Sequence, residues 1–190
     1  MIKFLAVALL IFGTCGRSMA QYKFEKESDL SIDQVPSIAF DFIDSGVIDT
    51  NVDWYYEENL VGNSVEAKFL YDDHHYSVEF DTSGLLQDIE IEYSEQELPR
   101  ELMDRIDKSL NLQFKKYSLH KIQKQYSGDL TSLHSFLNDQ DRNEWIIKYE
   151  LVIKAKKDKR MKLYEVLLDE EGRTESIEEI VLRNNDYLEF

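Results

Sequence analysis

Two segments of the chain, residues 76–91 and 164–177, alternate apolar and polar residues on both sides of a short polar turn. The turn reads Asp-Thr-Ser-Gly in the first segment and Asp-Glu-Glu-Gly in the second. Alternation with a period of two around a turn that contains glycine is typical of a β-hairpin. The pattern therefore predicts two hairpins.

The two hairpins are related by one spacing. Six positions of the first have a similar residue 88 positions later: Tyr76 and Tyr164, Val78 and Val166, Phe80 and Leu168, Asp81 and Asp169, Gly84 and Gly172, and Ile89 and Ile177. Similarity at one fixed spacing indicates an internal duplication of a supersecondary unit.

A helix pattern precedes each hairpin. Pro36 and Pro99 suit the first position of a helix, and apolar residues follow each of them at helical spacing. The chain is thus predicted to be an α+β protein with two tandem units, residues 31–95 and 96–190, each a helix on an antiparallel sheet of about four strands. The predicted core is Phe42, Phe69, Tyr76, Val78, Phe80 and Ile89 in the first unit, and Leu102, Ile106, Tyr149, Leu151, Tyr164, Val166 and Leu168 in the second.

Alternation places the polar residues of the first unit on the opposite face of its sheet. These residues are Glu66, Lys68, Glu79, Glu90 and Glu92, and we expect them to face water or a partner. The second unit is longer, mainly at residues 127–144, where Leu133, Phe136 and Leu137 favour an inserted helical turn. We interpret it as a cap over the sheet rather than a functional lid.

The first 20 residues have the pattern of a signal peptide. Lys3 precedes an apolar run at 4–12, and small residues at Ser18 and Ala20 suit cleavage before Gln21. The run is too short to span a bilayer, and nothing later in the chain comes closer. Cys15, the only cysteine, offers an alternative as the lipidated first residue of a lipoprotein, but the residues before it lack the usual pattern. We expect a periplasmic or secreted protein without disulfides.

Composition excludes several functions. The chain has 22 Lys and Arg against 38 Asp and Glu, a net charge of −16, which argues against nucleic acid as a partner. No nucleophile, metalloprotease or phosphate-binding motif is present, so we expect neither an enzyme nor a cofactor.

Several motifs together resemble a known family. These are Val35-Pro36 and Leu98-Pro99 at the helix starts, Trp54 in a first strand, the Tyr-x-Val strands, and the two Asp-x-x-Gly turns. Each half resembles the PepSY-like, β-lactamase-inhibitor-protein-like (BLIP-like) domains of exported bacterial proteins. The resemblance implies a non-catalytic module whose sheet face or loops grip another protein, and it carries over no catalytic residues.

The sharpest charge feature is the segment 154–162, with six basic residues and one acidic residue. Either it is a solvated hairpin tip, or Lys156, Lys157, Lys159 and Arg160 contact an acidic partner. Leu163 and Leu167 lie on the outward face of the second predicted sheet, where they either contact a partner or pack the two units together.

Asp72, His74 and His75 form a turn whose side chains are capable of binding a metal ion, but adjacent residues diverge and the sequence supplies no further ligand. His120 and His134 are isolated in the sequence.

Taken together, these features predict an exported protein-binding module, inhibitor-like or sensory, whose partner is another envelope or secreted protein. The alternative is an envelope protein that binds a small ligand or a metal ion.

Overall fold

The structure is a computed structural model that describes residues 21–23, 25–46, 49–60, 62–129, 132–138, 145–156 and 160–181. The strands are β1 (Gln21–Lys23), β2 (Glu25–Asp29), β3 (Asp53–Asn59), β4 (Asn63–Tyr71), β5 (His74–Asp81), β6 (Leu86–Glu92), β7 (Tyr117–Ser127), β8 (Ile146–Lys156), β9 (Met161–Asp169) and β10 (Thr174–Ile180). The helices are α1 (Ser37–Asp44), α2 (Arg100–Gln113) and α3 (Leu133–Leu137), and a 3-10 turn spans Ile32–Gln34. Within these ranges, no helix has both the length and the apolar character needed to cross a membrane.

The ten strands form one mixed sheet with the order β1-β10-β9-β8-β7-β6-β5-β4-β3-β2. The prediction of two tandem helix-on-four-strand units is therefore wrong. β6 pairs with β7 along the middle of the sheet, where Ile89 lies opposite Tyr126, and so joins the two halves. Alternation fixes the two faces of a strand but not its neighbour, and pairing β6 with β7 satisfies the backbone groups of two edges that separate units would expose.

The two ends of this sheet lie next to each other. β1 pairs with β10 and β2 pairs with β3, at opposite ends of the strand order. Lys23 and Glu25 are nevertheless separated by a single residue, so their Cα atoms are at most about 7 Å apart. The sheet must therefore curl until its ends meet. We call β1 and β2 together the strap, because they connect both ends, and the sheet has an inner and an outer face.

The apolar core covers the outer face. α1 packs on one cluster through Ala39 and Ile43, and α2 packs on a second through Leu102, Ile106 and Leu110. The predicted core residues are all buried except Phe42, which is half-buried. The predicted helix starts are also confirmed, since Pro36 and Pro99 are the N-caps of α1 and α2.

The turns of the two hairpins have the same hydrogen bonds and the same glycine conformation. Oδ1 of Asp81 accepts bonds from the amides two and four residues later, at 2.8 and 3.0 Å, and Oδ1 of Asp169 does the same at 3.1 and 2.9 Å. Gly84 and Gly172 have φ of +91° and +80°, in the region that favours glycine. Each glycine also lies against a helix, α1 for Gly84 and α2 for Gly172. The similarity that the sequence shows at a spacing of 88 is therefore confirmed for the geometry of the two turns, although not for whole units.

The inserted segment of the second half completes the core of the first half. α3 buries Leu133 and Phe136 in the cluster that contains α1. The Phe136 ring lies 5.0 Å from that of Tyr126 and 4.9 Å from that of Trp145, between centroids. A Cβ at Gly46, just after α1, would come within 2.7 Å of Leu133 Cδ2. The helical turn predicted at 127–144 is confirmed, and it joins the two halves as well as covering the sheet.

We expect Leu133→Ala to lower the free energy of unfolding by about 2–5 kcal/mol, because it leaves a cavity between α1 and α3. Urea denaturation would measure the change. Leu112→Ala is the control, since Leu112 is 78% exposed on α2 and its truncation should change stability by less than about 0.5 kcal/mol. Equal effects of the two substitutions would contradict the role assigned to α3.

Candidate functional site

A cleft of about 400 Å³ opens where the β4–β5 turn, the segment 93–97 and the first half of β7 meet. Its lining includes three histidines and four carboxylates: His74, His75, His120, Asp73, Glu92, Glu95 and Glu97. Tyr93, Leu119 and Ile122 add apolar surface. The cleft therefore brings together imidazoles and carboxylates that lie far apart in the sequence.

The β4–β5 turn places two of these histidines. Asp72 and Asp73 have φ of 48° and 63°, the left-handed conformation that both central residues of a type I′ hairpin turn require. Aspartate tolerates this conformation better than most residues. β5 therefore begins at once with His74, followed by His75.

His74 connects two walls of the cleft. Its Nδ1 donates to the Asp72 carbonyl oxygen at 2.8 Å and its Nε2 to Glu97 Oε1 at 2.9 Å. Burial opposes a charge on this ring, but the bonds to Asp72 and Glu97 outweigh it and raise the pKa of His74. Bonds from the hydroxyl and amide of Ser94, at 2.6 and 2.7 Å, lower the pKa of Glu97. The contact is thus an ion pair between β5 and the segment 94–97.

A β-bulge in β7 places the third histidine. Leu119 pairs with Ile153 and Lys121 with Val152, so His120 is an extra residue between them. Bulges of this kind re-aim a side chain and are common beside functional sites. His75 and His120 are both exposed and come from strands that are two positions apart in the sheet. The sequence offered no signal for this approach, because a bulge cannot be recognised from alternation alone.

The metal site considered at Asp72, His74 and His75 is not preformed. Both ring nitrogens of His74 are already bonded. Among the described residues, the one set of three potential ligands whose atoms lie within 4.8 Å of one another is Glu27, Glu57 and Glu66. The ammonium of Lys68 lies 2.8 Å from Glu27 and 3.0 Å from Glu66, so a side-chain cation already compensates these carboxylates.

The inner face of the sheet carries a second polar cluster. Asp88 and Glu90 on β6 accept bonds from the amides of Gln125 and Gln123, including one of 2.7 Å from Gln123 to Glu90. Strand pairing places Glu150 of β8 and Glu165 of β9 on the same face. The expectation that Glu66, Glu79 and Glu90 lie on an open, solvated face is therefore corrected, since closure of the sheet encloses them and Glu66 is only 8% exposed.

Lys23 of the strap is a counter-charge in this cluster. Its ammonium donates to Glu165 and lies 3.9 Å from Glu150. It also opposes the rise that burial causes in the pKa values of Asp88 and Glu90, although β1 and β6 are five strand positions apart. In a flat sheet that separation would be about 24 Å, well beyond the range of an exposed charge. The interaction therefore runs across the interior of the curled sheet.

Three carboxyl groups of this cluster have strongly raised pKa values. Burial, reinforced by neighbouring carboxylates, raises the pKa of Asp88 to about 8 and that of Glu165 to about 8, and it raises the pKa of Glu90 well above its usual range. Asp88 Oδ1 is buried without a hydrogen-bond partner among the described residues, which disfavours its ionised form. Protonation is thus one way in which the fold accommodates these acids.

The basic tip is only partly described. Lys156 ends β8 and Arg160 precedes β9, and both are exposed. Lys157 and Lys159 lie outside the described residues, as do the signal-peptide pattern at 1–20 and Cys15. Leu163 and Leu167 are half-buried on the inner face with Glu165 rather than on an open outward face.

No family model, curated protein or solved structure matches this chain. The resemblance to PepSY-like and BLIP-like domains therefore stays a prediction.

We expect the free energy of unfolding to fall as the pH rises from 6 to 9. In the unfolded chain Asp88 and Glu165 lose their protons near pH 4, whereas in the folded protein they do so near pH 8, so the stability they contribute is lost as the pH rises through 8. Each such group contributes a slope of about 1.4 kcal/mol per pH unit between these limits. Urea denaturation at several pH values would measure it.

Asp88→Asn and Glu165→Gln are the matched variants, because each amide imitates the protonated acid and should flatten the profile. A wild-type stability that stays constant or rises between pH 6 and 9 would contradict this assignment.

Proposed function

We propose that the chain is a non-catalytic binding protein whose cleft takes a small cation. One observation carries the proposal: the fold brings three of the four histidines, from the start of β5 and the bulge in β7, into one cleft with four carboxylates. The cleft volume of about 400 Å³ lies in the range of small-molecule sites.

The charge of the cleft favours a cation. Four carboxylates face one lysine, Lys121, and one imidazolium, His74, whose charge is already paired with Glu97. The imidazoles of His75 and His120 suit a metal ion of the zinc type, whereas Glu92 and Glu95 suit an ammonium group as well. A metal ion and an organic amine share this chemistry, and side-chain substitutions distinguish them.

Calorimetry with zinc chloride and with 1,4-diaminobutane tests the proposal on the full chain. If zinc is the ligand, His75→Ala and His120→Ala should each weaken its binding by at least about tenfold, or 1.4 kcal/mol. If the ligand is an amine, Glu92→Gln and Glu95→Gln should weaken diamine binding while the histidine variants leave it unchanged.

His134→Ala is the control, because His134 is exposed on α3 and does not line the cleft. Its affinity for either probe should equal that of the wild type. Absence of binding by both probes would overturn the proposal, as would equal losses in the cleft variants and in the His134 variant.

A second candidate function is contact with an acidic protein partner through the tip between β8 and β9. Exposed Lys156 and Arg160 support it, together with Met161 beside them, which is 42% exposed. Such a contact would belong to the exported protein-binding module expected from the sequence.

We expect reversal of charge at Lys156 and Arg160, each to Glu, to abolish capture of an acidic envelope protein from extracts. Reversal at Lys26, an exposed strap residue paired with Glu58, is the control and should leave capture unchanged. If the charge reversal at Lys156 and Arg160 left capture unchanged, the tip would not be the contact surface and this second proposal would be wrong.

A further inference from the structure

The strap is a short segment that closes the ten-stranded sheet. β1 has three residues and β2 has five, yet together they connect the two ends of a ten-stranded sheet. β1 lies in parallel beside β10, with Tyr22 opposite Glu179, and the Val181 amide donates to the Lys23 carbonyl at 3.1 Å. β2 lies antiparallel beside β3. If the strap left, the outer edges of β3 and β10 and the enclosed inner face would be exposed.

Lys23 is the strap residue that reaches the carboxylate cluster. Its side chain is 22% exposed, and those of its partners Glu150 and Glu165 are 13% and 14% exposed. Lys26, on the opposite face of the strap, pairs with Glu58 at 2.7 Å, but both of these side chains are about half exposed. Solvent screens such an exposed pair, whereas the enclosed contact of Lys23 keeps most of its electrostatic strength.

Other charges share the inner face with Lys23, and they are mostly acidic. Among the described side chains they are Glu27 and Asp29 on β2, Asp53 and Glu57 on β3, Glu66 and Lys68 on β4, Glu79 and Asp81 on β5, Asp88, Glu90 and Glu92 on β6, Lys121 on β7, Lys148, Glu150, Lys154 and Lys156 on β8, Glu165 and Asp169 on β9 and Glu178 on β10. Lys68 is paired with Glu27 and Glu66, and Lys148 is paired with Glu175. The ion pairs of these two lysines are therefore with carboxylates other than Glu150 and Glu165, the partners of Lys23.

We infer that Lys23 is a pH-dependent latch, whose hold on the strap strengthens as the interior carboxyl groups ionise and weakens as they are protonated. The inference follows from reciprocity. Burial raises the pKa values of Asp88, Glu90 and Glu165, and Lys23 opposes part of that rise, so it favours their ionised forms. Those ionised forms must then favour the bound position of Lys23 by the same free energy.

The contribution of Lys23 has the opposite pH dependence to the free energy of unfolding of the whole protein. The whole fold loses stability as the pH rises, because ionised carboxylates are buried, while Lys23 offsets part of that loss. The contact of Lys23 with the carboxylates therefore contributes most to holding the strap at alkaline pH, where the burial of ionised carboxylates costs the fold most.

Peptide-resolved hydrogen exchange of the full chain tests the latch at pH 5 and pH 8. At each pH the readout is the exchange rate of β1 and β2 in Lys23→Met divided by that in the wild type. This ratio cancels both the intrinsic pH dependence of exchange and any change in hydration of the interior. We expect a ratio of about ten at pH 8, the factor that corresponds to one pKa unit of coupling, and a clearly smaller ratio at pH 5.

Lys26→Met is the matched control, and its ratio should be near one at both pH values. A Lys23→Met ratio that is equal at pH 5 and pH 8, or larger at pH 5, would overturn the inference. Lys23→Arg retains the charge and should restore slow exchange.

A double-mutant cycle with Glu165→Gln provides a second test from the carboxylate side. At pH 8, Lys23→Met should accelerate exchange of the strap less in the Glu165→Gln background than in the wild type, because the amide removes the charge that Lys23 contacts. Equal acceleration in the two backgrounds would equally overturn the latch.

Discussion

The covalent closeness of Lys23 and Glu25 is the constraint on which the rest of this structure depends. Two residues separated by one position cannot lie at opposite ends of a flat ten-stranded sheet. The sheet must therefore curl until β3 and β10 are both within reach of the strap. This curl separates an outer face, covered by α1 and α2, from an enclosed inner face.

Enclosure changes the chemistry of an ordinary alternating pattern. In an open sheet, polar residues opposite the core face water, and charges such as Asp88 and Glu165 cost little. Here the same residues are desolvated, and the fold accommodates them by protonation, by the amides of Gln123 and Gln125, and by the ammonium of Lys23. The strap thus supplies both the closure and part of the charge that closure requires.

The two halves of the chain differ in length, and the longer second half contributes to the core of the first. The first half has a shorter helix over its core, and α3 from the second half adds Leu133 and Phe136 to that core. The aromatic group of Tyr126, Phe136 and Trp145 extends the same contact. The core of the first half therefore depends on residues from the second half, whereas the buried residues of the other core all come from the second half.

The sequence by itself determined the hairpins, both proline helix starts, the duplicated turns and nearly all core residues, because each depends on contacts within about 15 positions or on the period of alternation. Tertiary structure alone decided the pairing of β6 with β7, the closure by the strap and the position of His75 and His120 in one cleft. These features depend on which strands become neighbours, and alternation gives a strand two faces without naming its partner. For the same reason the sequence did not reveal that the carboxylates of the inner face are enclosed. Alternating acidic residues give the same sequence pattern whether they face water or the interior of a closed sheet.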